Sequence, residues 1–209
     1  MNQNREEKLG MEKQILISLG REFGSGGHKI AQKISRELGI PYYDKNILEK
    51  IFGDDRESYE HMEEYDERLP NPFLTWRVRG YSNSLEEILA EKQFEFIRNK
   101  AENGESFVIV GRCAGTILRD YENHISFFIL ADMYDKIQRV MDRENREERD
   151  AIHRIQQMDA TRKKYHNYYS DTKWGDSRGY DICINASGLG LDKTADILLD
   201  YIKTKMELE

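Results

Sequence analysis

The chain has two cysteines in 209 residues, Cys113 and Cys183, far apart and each in or beside an apolar run. Neither has a His or Cys neighbour at metal-ligand spacing, so two buried, reduced thiols are expected. No apolar stretch approaches the ~20 residues that a membrane-spanning helix needs. The polar start, Met1 to Gly10, lacks an apolar signal core, which points away from secretion and towards the cytoplasm. Cationic surplus is missing too. With 32 Lys and Arg against 39 Asp and Glu, the formal net charge is −7. That balance argues against broad nucleic-acid binding, although a local basic cluster can still hold one small polyanion. No internal repeat or low-complexity tract is visible. What remains is 38% hydrophobic and 34% charged, the composition of a soluble globular protein long enough to bury one core.

Residues 1–12 read as a flexible tail, and 13–209 as a single domain. Five short apolar runs predict strands: Gln14–Leu19, Pro41–Tyr43, Phe107–Val110, Ile125–Leu130 and Tyr180–Ile184. Between the first two, Ile30, Ala31, Ile34 and Leu38 recur at helical spacing and Gly39 closes the helix. Ser84 and Glu87 form a capping box for a helix to about Lys100. The charged stretch Met133–Tyr169 is helix-compatible. A last amphipathic helix follows Asp192, with Ala195, Leu198, Leu199 and Ile202 facing inward. Asp54–Asn83, with Pro70 and Pro72, is the least regular part and reads as an insert. Strands alternating with helices imply an α/β three-layer sandwich around a five-stranded parallel sheet. In such sheets ligands bind beyond the strands' carboxyl ends. Gly20 onwards, Asp44, Gly111-Arg112 and Asp132 all fall there.

The segment Gly20-Arg21-Glu22-Phe23-Gly24-Ser25-Gly26-Gly27-His28-Lys29 follows a strand and opens a helix. Backbone N–H groups in such a turn converge on a phosphate, and glycine lets the backbone approach it at positive φ. A purely structural tight turn is the other reading. The segment does not satisfy G-x-x-x-x-G-K-[ST]. Gly27 stands where the phosphate-contacting lysine normally stands, and His28 and Lys29 cover the positions of the magnesium-binding hydroxyl. Arg21, Lys29 or a lid arginine would have to supply the missing charge.

The run from Ile17 to Gly27, the helix after it, and Gly39-Ile40-Pro41-Tyr42-Tyr43-Asp44 together resemble the cytidylate kinase-like family. Val110-Gly111-Arg112-Cys113-Ala114-Gly115 adds to the likeness. True cytidylate kinases read D-G-R-D-x-G here; Arg112 and Gly115 match, whereas Val110 and Cys113 replace the two acids. The resemblance runs from about Gln14 to Ile202. It implies a P-loop nucleoside-monophosphate kinase that uses ATP and Mg²⁺, with CMP or dCMP as acceptor. It also implies a monophosphate-binding insert at about 45–105 and a lid at about 143–172. No protein side chain is assigned to the metal.

Phosphoryl transfer depends on positioning and charge neutralisation, which suits arginine. Arg112, leaving a strand end, is the candidate for gripping the monophosphate, or else an ion pair holding the insert. Of the lid arginines, Arg162 stands out because Asp159-x-x-Arg162 resembles the family's lid motif; Arg154 also enters, although the family's first lid arginine aligns nearer Ile155. Arg21, Lys29 and Arg162 are the catalytic candidates, and Gly24 to Lys29 the phosphate loop. The resemblance places Asp44 near the acceptor, while a helix N-cap is the alternative. Asp132 reads as a helix cap rather than a metal ligand. Tyr165, Tyr168 and Tyr169 read as packing rather than base stacking. His28 either donates to a phosphate or begins the helix. Losing the loop lysine, its hydroxyl partner and the strand-end acid keeps a second reading open: a nucleotide sensor or regulator with the kinase fold.

Overall fold

A computed structural model describes residues 13–44, 47–52, 69–70, 77–78, 81–82 and 84–208. The expected N-terminal tail and most of the irregular 54–83 stretch lie outside these described residues.

The strands are β1 (Leu16–Arg21), β2 (Tyr42–Tyr43), β5 (Phe107–Val110), β6 (His124–Leu130) and β7 (Ile182–Asn185), with a two-stranded ribbon of β3 (Arg77–Val78) and β4 (Tyr81–Ser82) apart from them. The main sheet has the order β2-β5-β1-β6-β7, and every pairing in it is parallel. The helices are α1 (Gly27–Leu38), α2 (Ile47–Phe52), α3 (Leu85–Glu102), α4 (Ala114–Ile117), α5 (Met133–Glu144), α6 (Glu148–Tyr169) and α7 (Gly190–Leu208).

Because side chains alternate along a strand, each strand serves two layers. From β1, Ile17 and Leu19 join Ile30 and Ile34 of α1 and Leu198 and Ile202 of α7 in one core. Leu16 points the other way and joins Phe107 and Ile109 of β5, Ile47 and Leu48 of α2 and Leu89 and Ile97 of α3. The expected three-layer sandwich is therefore present. Ala195, Leu198, Leu199 and Ile202 are all buried. Gly39 ends α1 in the left-handed conformation, and Ser84 caps α3 by accepting from the Glu87 amide.

Two boundaries differ from the expected ones. β1 runs on through Gly20 and Arg21, because the long β6 offers Phe128 and Ile129 as partners; Arg21 is thus a strand-end residue and not a loop residue. The last strand begins at Ile182, since Tyr180 turns to pack on Phe128, their rings 5.1 Å apart. β7 is also an edge strand, which leaves Cys183 half-buried instead of buried; Cys113 is buried as expected.

The sheet order fixes where a ligand can enter. From β1 the chain goes towards β5 and β2 on one side, and later strands add β6 and β7 on the other. The switch in direction falls at β1, so its carboxyl end opens into the crevice that such sheets use for binding.

Candidate functional site

The loop from Glu22 to Gly26 leaves β1 and turns into α1. Gly24 and Gly26 have φ of 80° and 86°, a region that side chains rarely adopt. Ile30 N donates to Gly26 O. The amides of Gly27, His28 and Lys29 are therefore the first-turn donors that have no intrahelical acceptor. Ser25 is fully buried and its Oγ donates back to Glu22 O at 2.8 Å, which fixes the turn.

Gly27 has an ordinary φ, and its need for smallness is different. A Cβ there would lie 2.8 Å from Arg21 Cβ and 3.2 Å from Arg21 Cγ. The stem of Arg21 thus occupies the space beside the position where phosphate loops carry lysine. Its guanidinium reaches across to Gly111, where a Cβ would collide with Nη1, and Nη2 lies 3.5 Å from Asp44 Oδ1. Arg21 is nine-tenths buried. Lys29, the other candidate for the missing charge, is exposed at the cavity rim.

Asp44 follows β2. Its Oδ2 accepts from Tyr42 Oη at 3.1 Å and lies 2.8 Å from His28 Nδ1. Burial alone would raise its pKa. The hydrogen bond from His28 and the charges of Arg21 and Arg112 outweigh burial and hold the carboxyl well below the usual carboxylate range. The Asp44 carboxylate is thus a counter-ion to Arg21 and Arg112, and His28 is drawn to it.

At the end of β5 the chain passes through three consecutive positive φ values: 78° at Gly111, 56° at Arg112 and 53° at Cys113. For the two non-glycine residues this costs about 1–2 kcal/mol each. The turn buries Arg112 to 2% exposure and brings it beside Arg21 and Asp44.

Helices α5 and α6 pack over the loop around Phe23. Phe23 joins Ile137, Val140, Ala151 and Ile155 in a small core, and its N–H donates to Asp159 Oδ1 at 2.6 Å. Three guanidinium carbons surround the ring, Arg143 at 4.7 Å, Arg162 at 5.4 Å and Arg154 at 5.6 Å from its centroid. Cation–π contacts of this kind hold a cation at about 0.5–2 kcal/mol each. Lys136, only 3% exposed, donates to Glu22 Oε2 at 3.1 Å and Asp159 Oδ2 at 2.8 Å. Arg139 Nη1 donates to Gly24 O and Ser25 O, each at 3.2 Å, and Arg162 Nη1 to Arg21 O at 3.4 Å.

These parts line one cavity of about 1050 Å³. Of the residues expected from sequence, Arg21, Gly24, Gly26, Gly27, His28 and Lys29 line it, as do Asp44, Arg112, Arg154 and Arg162. Ser25 lies behind it. Sequence reasoning missed Phe23, whose ring Arg143, Arg154 and Arg162 surround, and Lys136, which anchors the loop from behind. The available signal for Lys136 was its place in the first turn of the helix leaving β6, at the same sheet edge as the loop. Asp132 occupies the N-cap position of α5, but its carboxylate accepts from Asn185 Nδ2 at 2.8 Å. Tyr165, Tyr168 and Tyr169 pack on one another, with centroids 4.8 and 4.9 Å apart.

Among the described residues no group of three or more His, Cys, Asp and Glu gathers as a metal cage. Glu22 and Asp44, which border the loop, both face cations. None of the described helices is long and apolar enough to cross a membrane.

A model described as the cytidylate kinase-like family matches residues 16–188. A cytidylate kinase from Pyrobaculum aerophilum is 21% identical over 196 residues, 93% of this chain and 96% of that protein. A crystal structure of an uncharacterized protein from Eubacterium ventriosum is 42% identical, with a TM-score of 0.73 over 91% of this chain and 99% of the other. The shikimate kinase of Bacteroides thetaiotaomicron, 13% identical, superimposes with a TM-score of 0.55 over 90% of this chain and 98% of its own, a likeness of fold.

Proposed function

The chain belongs to the cytidylate kinase-like family, and from that premise we propose that it transfers the γ-phosphoryl group of ATP to a nucleoside monophosphate, CMP, dCMP or a related small acceptor. The observation that carries this reading is the meeting of Arg21, Arg112 and Arg162 at the carboxyl ends of β1 and β5, beside the glycine loop. Phosphoryl transfer draws its rate from positioning and from neutralising charge on the equatorial oxygens, and three guanidinia supply both.

In this reading the amides at the start of α1 hold donor phosphates. Arg21 supplies from the strand end the charge that other loops carry on lysine, and its stem explains why Gly27 has no side chain. Arg112 grips the acceptor's phosphate. Asp44 positions Arg21 and Arg112 without touching the reacting atoms. Arg162 and Arg154 come from the lid, which spans about 143–172, and the insert at about 45–105 covers the acceptor side. Lys29 at the rim meets the outer donor phosphates. Mg²⁺, carried on a nucleotide that the amides of Gly27, His28 and Lys29 would hold, would offset phosphate charge.

A nucleotide sensor is the alternative, favoured by the absence of the loop lysine and hydroxyl. Purified protein with Mg-ATP and a panel of ribo- and deoxynucleoside monophosphates, followed by direct detection of ADP and new diphosphates, separates the two. Diphosphate formation is expected. ATP binding without turnover of any acceptor would overturn the enzyme reading in favour of the sensor.

A further inference from the structure

The cavity over the loop is lined by one imidazole that the transfer described above does not use. His28, in the first turn of α1, has its side chain 54% exposed there. Its Nδ1 lies 2.8 Å from Asp44 Oδ2 and 2.6 Å from Tyr42 Oη, and the same hydroxyl lies 3.1 Å from Asp44 Oδ2. The Tyr42 and His28 rings meet edge to face, at 84° with centroids 5.4 Å apart. One side of the imidazole is thus fixed by a carboxylate, a phenol and an aromatic neighbour. Nε2, beyond Cε1, has no hydrogen-bond partner among the described residues.

This network decides which ring nitrogen carries the proton. Asp44 stays ionised, and a carboxylate only accepts. Tyr42 keeps its hydroxyl proton, because burial and the charge of Asp44 push its pKa up, and it donates to that carboxylate. His28 Nδ1 is the second donor to Asp44 Oδ2, so the neutral ring carries its lone pair on Nε2. A lone pair there repels phosphate oxygens but can attack phosphorus. On attack the ring gains positive charge, which the carboxylate held against Nδ1 offsets. The aspartate of a Ser-His-Asp triad does the same for its histidine.

The hydroxyls beside the loop are committed elsewhere. Ser25 is buried and its Oγ donates back to Glu22 O, and Tyr42 serves Asp44. His28 is also well placed. Its own amide is one of the first-turn donors of α1, so the ring and the expected phosphate position share one turn of helix. A nucleophile beside a held phosphate, with its second nitrogen oriented by a third group, is the arrangement that covalent transfer needs.

We propose that the protein phosphorylates itself on Nε2 of His28, with ATP as the donor. The step rests on the donor half of the reading above and needs no acceptor. The Nε2 lone pair bonds to the γ-phosphorus as the bond from that phosphorus to the β–γ bridging oxygen breaks. That bond's electron pair leaves with ADP, and the Nδ1 proton stays in place against Asp44. The N-linked phosphoryl group returns to ADP by the same path reversed. While it remains, it fills the place of a γ-phosphate, so the modified chain accepts ADP and excludes ATP.

The test is incubation with Mg-ATP radiolabelled at the γ-phosphate, in the absence of any acceptor. Label is expected on the chain, stable to alkali, lost in mild acid, and discharged as ATP when ADP is added. Peptide mapping of the wild-type chain at alkaline pH should place it on His28, and phosphorus NMR should assign it to Nε2. His28→Asn should abolish it. Asp44→Asn should slow labelling about 10²-fold or more, because the ring loses both its tautomer and its counter-charge. An unlabelled chain, an acid-stable label, a label that maps elsewhere or persists in His28→Asn, or an Asp44→Asn chain labelled at the wild-type rate overturns the inference. A chain that turns over monophosphates yet stays unlabelled keeps the enzyme reading and loses this one. A chain labelled on His28 that turns over no monophosphate does the reverse.

Discussion

Two strand-end turns meet at the candidate site, and they are built in opposite ways. The loop after β1 adopts positive φ only at Gly24 and Gly26, where there is no side chain to strain. The turn after β5 continues past Gly111 into positive φ at Arg112 and Cys113, where strain is unavoidable. The difference lies in what each turn delivers. In the proposed reading the loop brings backbone amides to a phosphate, so side chains would only obstruct. The β5 turn brings a guanidinium, so glycine at 112 would relax the backbone and remove the function. Strain of this kind persists only where the surroundings enforce it, and it gathers at functional sites. Arg21 links the two turns, its stem against Gly27 of one and its guanidinium against Gly111 of the other.

The largest expected effect separates the two halves of that comparison at Arg112. Arg112→Ala and Arg112→Gly should both lower turnover about 10²–10³-fold, because both remove the same charge from the site. Their stabilities should differ in the direction that backbone strain dictates. The glycine variant should be the more stable by about 1 kcal/mol, since left-handed φ costs it nothing. Denaturant melts beside initial rates check both. A glycine variant no more stable than the alanine one would mean that the turn is not strained, and retention of more than about a tenth of the activity would remove Arg112 from the chemistry.

A smaller effect is expected at Gly27, where the constraint is space rather than φ. Gly27→Ala should drive the Arg21 stem aside, costing about 1–3 kcal/mol of stability and weakening ATP binding. In an Arg21→Gly background the obstructing Cβ and Cγ are gone, so the same substitution should cost less, with a coupling of about 0.5–3 kcal/mol. Additive effects in that cycle would show that Arg21 and Gly27 do not share the space, and the idea of a displaced loop cation would fall with them.

Much of this arrangement was legible in the sequence, because local rules set it. Short apolar runs, three of them ending at Gly20, Asp44 and Gly111, pointed to the five strands, and the glycine cluster between a strand and a helix pointed to the loop. Asp44 and Arg112 were found at strand ends by position and residue type, Arg21 within the glycine-rich segment, and Arg162 through the family resemblance of Asp159-x-x-Arg162. Contacts across long sequence separations were not legible. Lys136 looked like one more charge in a charged helix, yet it is buried between Glu22 and Asp159, residues 114 and 23 positions away. Phe23 looked like a loop residue and proves to join a small core with Ile137 and Val140 of α5 and Ala151 and Ile155 of α6. The polar face of β1 was hidden for a similar reason. Ser18 sits in an apolar run, and only its pairing with His124, 106 residues on, shows that this half of the sheet does not pack like the other.

Asp44 is where the two turns share a counter-charge, and its expected effect is the smallest and the most specific. An unfolded aspartate titrates near 3.8, and the folded Asp44 lies well below that value. Its charge therefore contributes fully above about pH 4, and the contribution is lost only as pH falls through the folded value, far into acid. Asp44→Asn should lower turnover about 10-fold, the effect of loosening two arginines rather than removing one (~1.4 kcal/mol). The ratio of wild-type to variant activity should stay constant between about pH 5 and about pH 8, because Asp44 does not change its charge anywhere in that window. A ratio that shrinks towards pH 5 would mean that Asp44 takes up a proton there, which a carboxylate held between Arg21 and Arg112 cannot do. The two turns would then be independent of one another, and the Asp44 tie between Arg21 and Arg112 would have no part in the site.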